Sequence, residues 1–135
     1  MNQRIVIDTN VYVSRFLRPT SVPGRAVERV LTADLPLISR ATLLELKAVL
    51  LRDKFARYVD RSAIEPFLNY ISETAEQIST VSTIHACRHT QDDKFLELAV
   101  DGKADLILTG DLDLLALHPF RGIAIITPMQ YLAED

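Results

Sequence analysis

Four short apolar runs decide what this chain can fold into: Arg4-Ile5-Val6-Ile7, Leu35-Pro36-Leu37-Ile38, Asp105-Leu106-Ile107-Leu108 and Gly122-Ile123-Ala124-Ile125-Ile126. None alternates apolar with polar residues. A strand half exposed to water would alternate, whereas one covered by helices on both faces has no polar side to show, so the runs read as strands of a buried parallel sheet. A fifth run, Gln77-Ile78-Ser79-Thr80-Val81, is a weaker strand candidate.

Between the runs the apolar period lengthens to that of a helix. In RATLLELKAVLLR it brings Leu43, Leu46, Leu50 and Leu51 together, and in DDKFLELAVDGKAD it brings Phe95, Leu98 and Ala99 together. SAIEPFLNYISETAEQI repeats it through Ile64, Phe67, Leu68 and Ile71, with Pro66 tolerable in a first turn. Strands alternating with helices predict an α/β domain with a central parallel sheet and right-handed crossovers. Pro19, Pro23 and Gly24 mark a surface loop, and with 135 residues the chain suits one domain over 1–135.

Net charge is only −3, which selects no partner, but its distribution is uneven. Residues 1–61 carry 11 Lys/Arg against six acids, and residues 62–135 carry four against twelve. No stretch approaches the ~18 apolar residues of a membrane span, and no signal-peptide core opens the sequence. With its lone Cys87, expected to be a small buried hydrophobe, the chain reads as a cytoplasmic protein with no membrane partner.

In an open parallel sheet, ligands bind beyond the carboxyl ends of the strands. Asp8 and Asp111 both follow strand candidates, so parallel strands would put both on one edge. Asp92 and Asp93 open a helix, and Glu45 lies in the helix after the second strand. Taken singly, each Asp also fits a helix cap, and Glu45 a solvated charge. Taken together, acids converging on one crevice repel unless a cation compensates, and hard oxygen donors without a Cys/His cluster suit Mg²⁺ or Mn²⁺.

The segments IVIDTNVYVS, the mid-chain helix with Glu45, CRHTQDDKFLELAV, ADLILTGDLDLLAL and the terminal GIAIITPMQYL occur in the order seen in PIN-domain ribonucleases. Over nearly its whole length the chain resembles that family, most closely the branch of toxin components of toxin-antitoxin systems that includes the VapC-like toxins. The resemblance implies a PIN-like three-layer fold, a central parallel sheet flanked by helices, and hydrolysis of RNA phosphodiester bonds with one or two Mg²⁺ or Mn²⁺ ions. Carried over position by position, it implies Asp8, Glu45, Asp93 and Asp111 as the catalytic, metal-holding quartet, and Asp113 as a further contact to a second ion or a water. Thr9, Asn10 and Thr109 match the small polar residues around those carboxylates. Where relatives often have Cys-Arg-Asp-Pro, this chain has Cys87-Arg88-His89-Thr90, which loses an auxiliary acid and leaves the quartet whole.

RNA would be held by the basic half. Arg15, Arg18, Arg25, Arg40, Lys47 and Lys54 are the candidate phosphate contacts, and Tyr12 or Phe16 a stacking ring. The resemblance also implies a cognate antitoxin as protein partner and a homodimer, for which AIEPFLNYI is a candidate contact. Three other readings compete. A PIN fold that has lost catalysis would be an RNA- or protein-binding module, although no quartet acid is missing. A phosphorelay receiver domain should place a lysine after its last strand, where this chain has Thr127-Pro128. Zinc at His85, Cys87 and His89 lacks a second Cys/His cluster.

Overall fold

The computed structural model describes residues 2–134. Its five strands are β1 (Arg4–Ile7), β2 (Leu35–Ile38), β3 (Glu76–Gln77), β4 (Leu106–Leu108) and β5 (Ala124–Ile126). They form one sheet in the order β3-β2-β1-β4-β5, with every pairing parallel. The first strand in sequence is therefore the central strand, and strand order reverses on either side of it. That reversal opens the crevice in which such sheets bind ligands.

Seven α-helices cover the sheet: α1 (Thr9–Leu17), α2 (Val22–Ala33), α3 (Arg40–Leu50), α4 (Ile64–Thr74), α5 (Asp93–Asp101), α6 (Leu112–Leu115) and α7 (Pro128–Ala133). Pleating sends successive strand residues to opposite faces. Ile5, Ile7, Leu106 and Leu108 pack with α1, α2, α3, α4 and Tyr131 of α7. Val6, Leu37, Ile107 and Ile125 pack with Phe95, Leu96, Leu98 and Ala99 of α5 and Leu114 of α6. This double covering is the physical reason the strand runs lack alternation, and it produces the expected three-layer α/β domain.

Three local expectations change. The fifth run is a strand only at Glu76–Gln77, and residues 78–89 continue as an irregular segment beside α5. Pro23 and Gly24 do not mark a loop but lie in the first turn of α2. Ser21 caps that helix by accepting from the Gly24 amide at 3.1 Å, and Pro23 has no amide to leave unpaired there. Along α3 the buried stripe is Thr42, Leu46, Val49 and Leu50, with Leu51 exposed just past the helix end.

Gly24 is required by a close approach. A Cβ at this position would stand 2.6 Å from the carbonyl oxygens of both Arg18 and Pro19. Gly24→Ala is expected to lower stability by about 1–3 kcal/mol in urea unfolding, as overpacking against backbone does. Gly110→Ala, whose Cβ would meet nothing within 4 Å, should be close to neutral in the same measurement.

Candidate active site: an acidic pocket at the strand ends

The β1–β4 pairing builds the centre of the site. The Asp8 amide donates to the Leu108 carbonyl at 3.0 Å, extending the ladder one residue past the strand and setting Asp8 beside Thr109. The Thr109 hydroxyl then donates to the Asp8 carboxylate at 2.7 Å in a fully buried contact. Asp8 occupies the N-cap position of α1, yet its side chain caps nothing, and only its carbonyl accepts from Val11 and Tyr12. The cap reading of Asp8 is therefore corrected, since its carboxylate accepts from Thr109 and from no amide of the helix. Asp111 does cap, accepting from the Asp113 amide at 2.8 Å, while its own amide donates to the Thr109 hydroxyl at 3.0 Å.

Around this pair lies a small polar pocket of about 150 Å³ whose lining includes Asp8, Glu45, Asp92 and Asp111, with Thr9, Asn10 and Arg52. Four acids from four parts of the chain thus share one opening. A second, larger cleft of about 460 Å³ meets it at Asp8, Asn10 and Asp111, walled by apolar residues such as Val11, Pro128 and Met129. Glu45 is anchored from two sides: the Thr9 hydroxyl donates to one oxygen, and the Lys94 ammonium contacts the other at 2.6 Å. Among the described residues, no three Asp, Glu, His or Cys side chains are gathered closely enough to hold an ion as they stand.

Asp93 does not face this pocket. Its carboxylate accepts from the Ala86 amide at 3.1 Å and the Cys87 amide at 2.7 Å. Two further acids on α5 do the same work. Glu97 accepts from the Ile84 amide at 3.0 Å, and Asp101 accepts from Val81 and Ser82 at 2.7 and 2.9 Å. Residues 93, 97 and 101 fall on one helix face at spacing four, forming a ladder of carboxylates that fastens the irregular 81–87 segment along α5. Asp92, one position earlier, points into the pocket instead. The sequence signal for this division was present as Asp93-x₃-Glu97-x₃-Asp101.

The pKa directions follow the same division. Burial, with the charges of Asp92, Asp111 and Glu45, pushes the Asp8 carboxyl up to about 6, although the Thr109 hydrogen bond opposes the rise. Burial and then the neighbouring Asp111 and Glu45 also raise Asp92. For Asp93 burial acts upward too, but the Cys87 and Ala86 amides outweigh it and hold the carboxyl below its ordinary value. Burial and the adjacent Asp93 push the half-buried Cys87 thiol up to about 12, which leaves it without thiolate character at neutral pH.

The remaining candidates disperse. Asp113 lies outside the pocket lining, 3.6 Å from His89. Arg15 pairs with Glu28 and Lys47 with Glu65, whereas Arg25 and Arg40 are exposed. Arg18 and Lys54 line a separate cleft with Phe55 and Tyr58. Neither proposed stacking ring is available as a free face: Tyr12 is buried in the core, and Phe16 packs on Phe67 at 5.1 Å between centroids. The AIEPFLNYI stretch spends Ile64, Leu68 and Ile71 on the core and leaves Tyr70 outside. Asp92 and Arg52 line the pocket, and Lys94 reaches it through Glu45, although position-by-position matching named none of the three.

Two outcomes test this geometry. Asp93→Ala should cost about 2–4 kcal/mol in urea unfolding, because two amides lose an ionised acceptor, while Asp92→Ala should cost little. The second concerns pH. The native Asp8 carboxyl keeps its proton to about pH 6 and the unfolded one releases it near 3.8, so the native state binds more protons between those values. The contribution of Asp8 to stability is therefore largest at low pH and falls as pH rises through 6. In metal-free protein, Asp8→Asn should raise stability at pH 7 by on the order of 2–3 kcal/mol, with most of that gain gone by pH 4. An equal effect at both pH values would contradict the assignment.

Comparison with known proteins shows the family and the fold. The PIN domain family profile matches residues 4–113. An uncharacterized protein of Methanocaldococcus jannaschii is 29% identical over 117 residues, covering 85% of this chain and 75% of its own. VapBC2 of Rickettsia felis, solved bound to a DNA fragment from its promoter, superposes with a TM-score of 0.62 at 12% identity, over 92% of this chain and 98% of that one. VapC20 of Mycobacterium tuberculosis, a toxin that cleaves the sarcin-ricin loop, superposes with a TM-score of 0.56 at 12% identity, over 89% and 98%. The chain belongs to the PIN-domain family, and its fold is the one found in VapC toxins.

Proposed function

We propose that this protein is a metal-dependent ribonuclease that hydrolyses RNA phosphodiester bonds, and that it serves as the toxin of a type II toxin-antitoxin pair. The observation that carries the reading is the convergence of Asp8, Glu45, Asp92 and Asp111 on one polar pocket at the carboxyl edge of the sheet. The residues present fit a divalent cation chemically: they offer hard oxygen donors, and burial together with mutual repulsion already pushes Asp8 up to about 6. Asp8, Asp92 and Asp111 would hold the ion, or two ions, with Glu45 completing the set. Asp92 takes the place that position-by-position matching assigns to Asp93.

A bound Mg²⁺ or Mn²⁺ would supply an activated water and offset charge building on the phosphate oxygens. The protein's own groups do the positioning. Thr109 fixes the Asp8 carboxylate, and Thr9 and Lys94 fix Glu45. Asn10 lines both clefts that meet at Asp8 and Asp111, within reach of a phosphate lying between them. No side-chain nucleophile is required.

The likeness to VapBC2 supports an antitoxin partner, a basic side chain of which would neutralise the same carboxylates. A homodimer in the cytoplasm belongs to the same proposal, with Leu44, Leu51 and Tyr70 among the exposed apolar side chains available for pairing. No described helix is long and apolar enough to cross a membrane.

The test is cleavage of a mixed single-stranded RNA pool with EDTA, Mg²⁺ or Mn²⁺. Wild type should cut only with metal, and Asp8→Asn and Asp92→Asn should each lose at least about 100-fold in rate while remaining folded. Asp93→Asn, whose amide oxygen can still accept from Ala86 and Cys87, should keep most activity. Cutting that survives in EDTA, or in the Asp92 variant, sinks this assignment.

A further inference from the structure

We propose that the surface running from the acidic pocket along α1 to the 51–63 connection is a track for single-stranded RNA, with Tyr58 as a base-stacking platform and Arg18, Arg52 and Lys54 as phosphate contacts. The proposal rests on the ribonuclease reading and specifies how the strand beside the cut is held.

Its centre is a cleft of about 420 Å³ lined by Leu17, Arg18, Lys54, Phe55 and Tyr58. Two cations, two aromatic rings and one leucine meet there, without an acid. The local chain explains the arrangement. A 3₁₀ turn at Asp53–Phe55 brings Phe55 in against the core, and a further bond from the Tyr58 amide to the Phe55 carbonyl tightens the chain. Tyr58 is left 71% exposed, and the Lys54 ammonium lies 5.0 Å from the Phe55 ring centroid.

Among the described residues, only one pair of charges in this connection, Asp53 and Arg61, meets its opposite. Of its two acids, Asp60 accepts from the amide and hydroxyl of Ser62, and Asp53 faces Arg61 at 3.9 Å. Arg52, Lys54 and Arg57 have no carboxylate partner among the described residues, nor has Arg18 at the end of α1. Cations interleaved with an open aromatic face match a flexible strand of phosphates and unstacked bases. An acidic polypeptide would use the charges but leave the tyrosine face without a planar partner.

Continuity with the site is direct. Arg52 lines the acidic pocket, and Lys54, two residues on, lines the cleft. Helix α1 links the same two places, with Thr9 and Asn10 at the pocket and Leu17 at the cleft. Its nine residues span about 13 Å, the length of about four stacked nucleotides at ~3.4 Å each. A strand cut at the pocket therefore reaches Tyr58 with a nucleotide several positions from the scissile phosphate.

The experiment uses the full chain carrying Asp8→Asn, so that RNA is bound and not consumed, and measures anisotropy of a labelled oligouridine of about ten nucleotides. Adding Tyr58→Ala should weaken binding about tenfold, and Tyr58→Phe should restore it. Arg18→Ala and Lys54→Ala should each weaken binding and flatten its salt dependence by about 0.7 in the log–log slope. Affinity for a duplex of equal length should not respond to Tyr58→Ala. All three side chains are on the surface, so the substitutions do not open the core. If Tyr58→Ala and Lys54→Ala bind like the parent, the track is overturned even where wild type cuts RNA, and the nuclease reading stands. If the variants lose binding while wild type never cuts, the track stands and the nuclease reading falls.

Discussion

The hydrogen-bonded pairing of β1 with β4, ending in the Thr109–Asp8 contact, is the constraint on which the site depends. Because the two strands are parallel, the residues that follow them leave the sheet at the same edge. Parallel pairing by itself would bring Asp8 and Asp111 near each other; the buried Thr109 hydroxyl decides which way the Asp8 carboxylate points. The same hydroxyl accepts from the Asp111 amide, so one small side chain sets the positions of two acids. An Asp buried to 6% exposure with such neighbours is an unfavourable arrangement for a structural residue, and its elevated pKa is the mark of that conflict.

Adjacent aspartates at the start of α5 show how a helix can turn two neighbouring carboxylates to different surroundings. One residue of helical rotation, about 100°, turns Asp93 toward the 81–87 segment and Asp92 toward the pocket. Asp93 is only 4% exposed, yet its carboxyl is held down because it accepts two backbone amides. Asp92 gains no such bonds and carries the repulsion of the other acids. Low pKa here marks a carboxylate satisfied by backbone amides, and raised pKa marks one where burial and neighbouring acids prevail.

Much of the fold was readable from hydrophobic pattern alone. The strand runs, their parallel sense and the helices between them all follow from burial on two faces, which leaves a strong imprint on short segments. The motifs also named Asp8, Glu45 and Asp111, which the fold brings to one pocket. What pattern could not decide was which of two consecutive acids turns inward, because that depends on hydrogen-bond partners about seven residues upstream. The irregular 78–89 segment was misread in part for the same reason, since side-chain carboxylates and not a neighbouring strand satisfy its amides. Pro23 and Gly24 suggested a loop because turn residues and first-turn helix residues overlap; the Ser21 cap and the close packing at Gly24 resolve them into a helix start. Cationic contacts were the least readable, for an arginine's pairing depends on which carboxylate the fold brings opposite.

The strand order carries a temporal consequence. The central strand is made first, yet the strand that completes its site lies about a hundred residues later: Asp8 and Thr109 are 101 positions apart. A growing chain that has not reached β4 holds Asp8 without its clamp and without Asp111, so the first half of the protein, which carries most of the basic charge, has no assembled pocket. The pocket is therefore assembled only after β4 has been made. Topology alone thus keeps the four carboxylates apart until segments from both halves of the sequence have met.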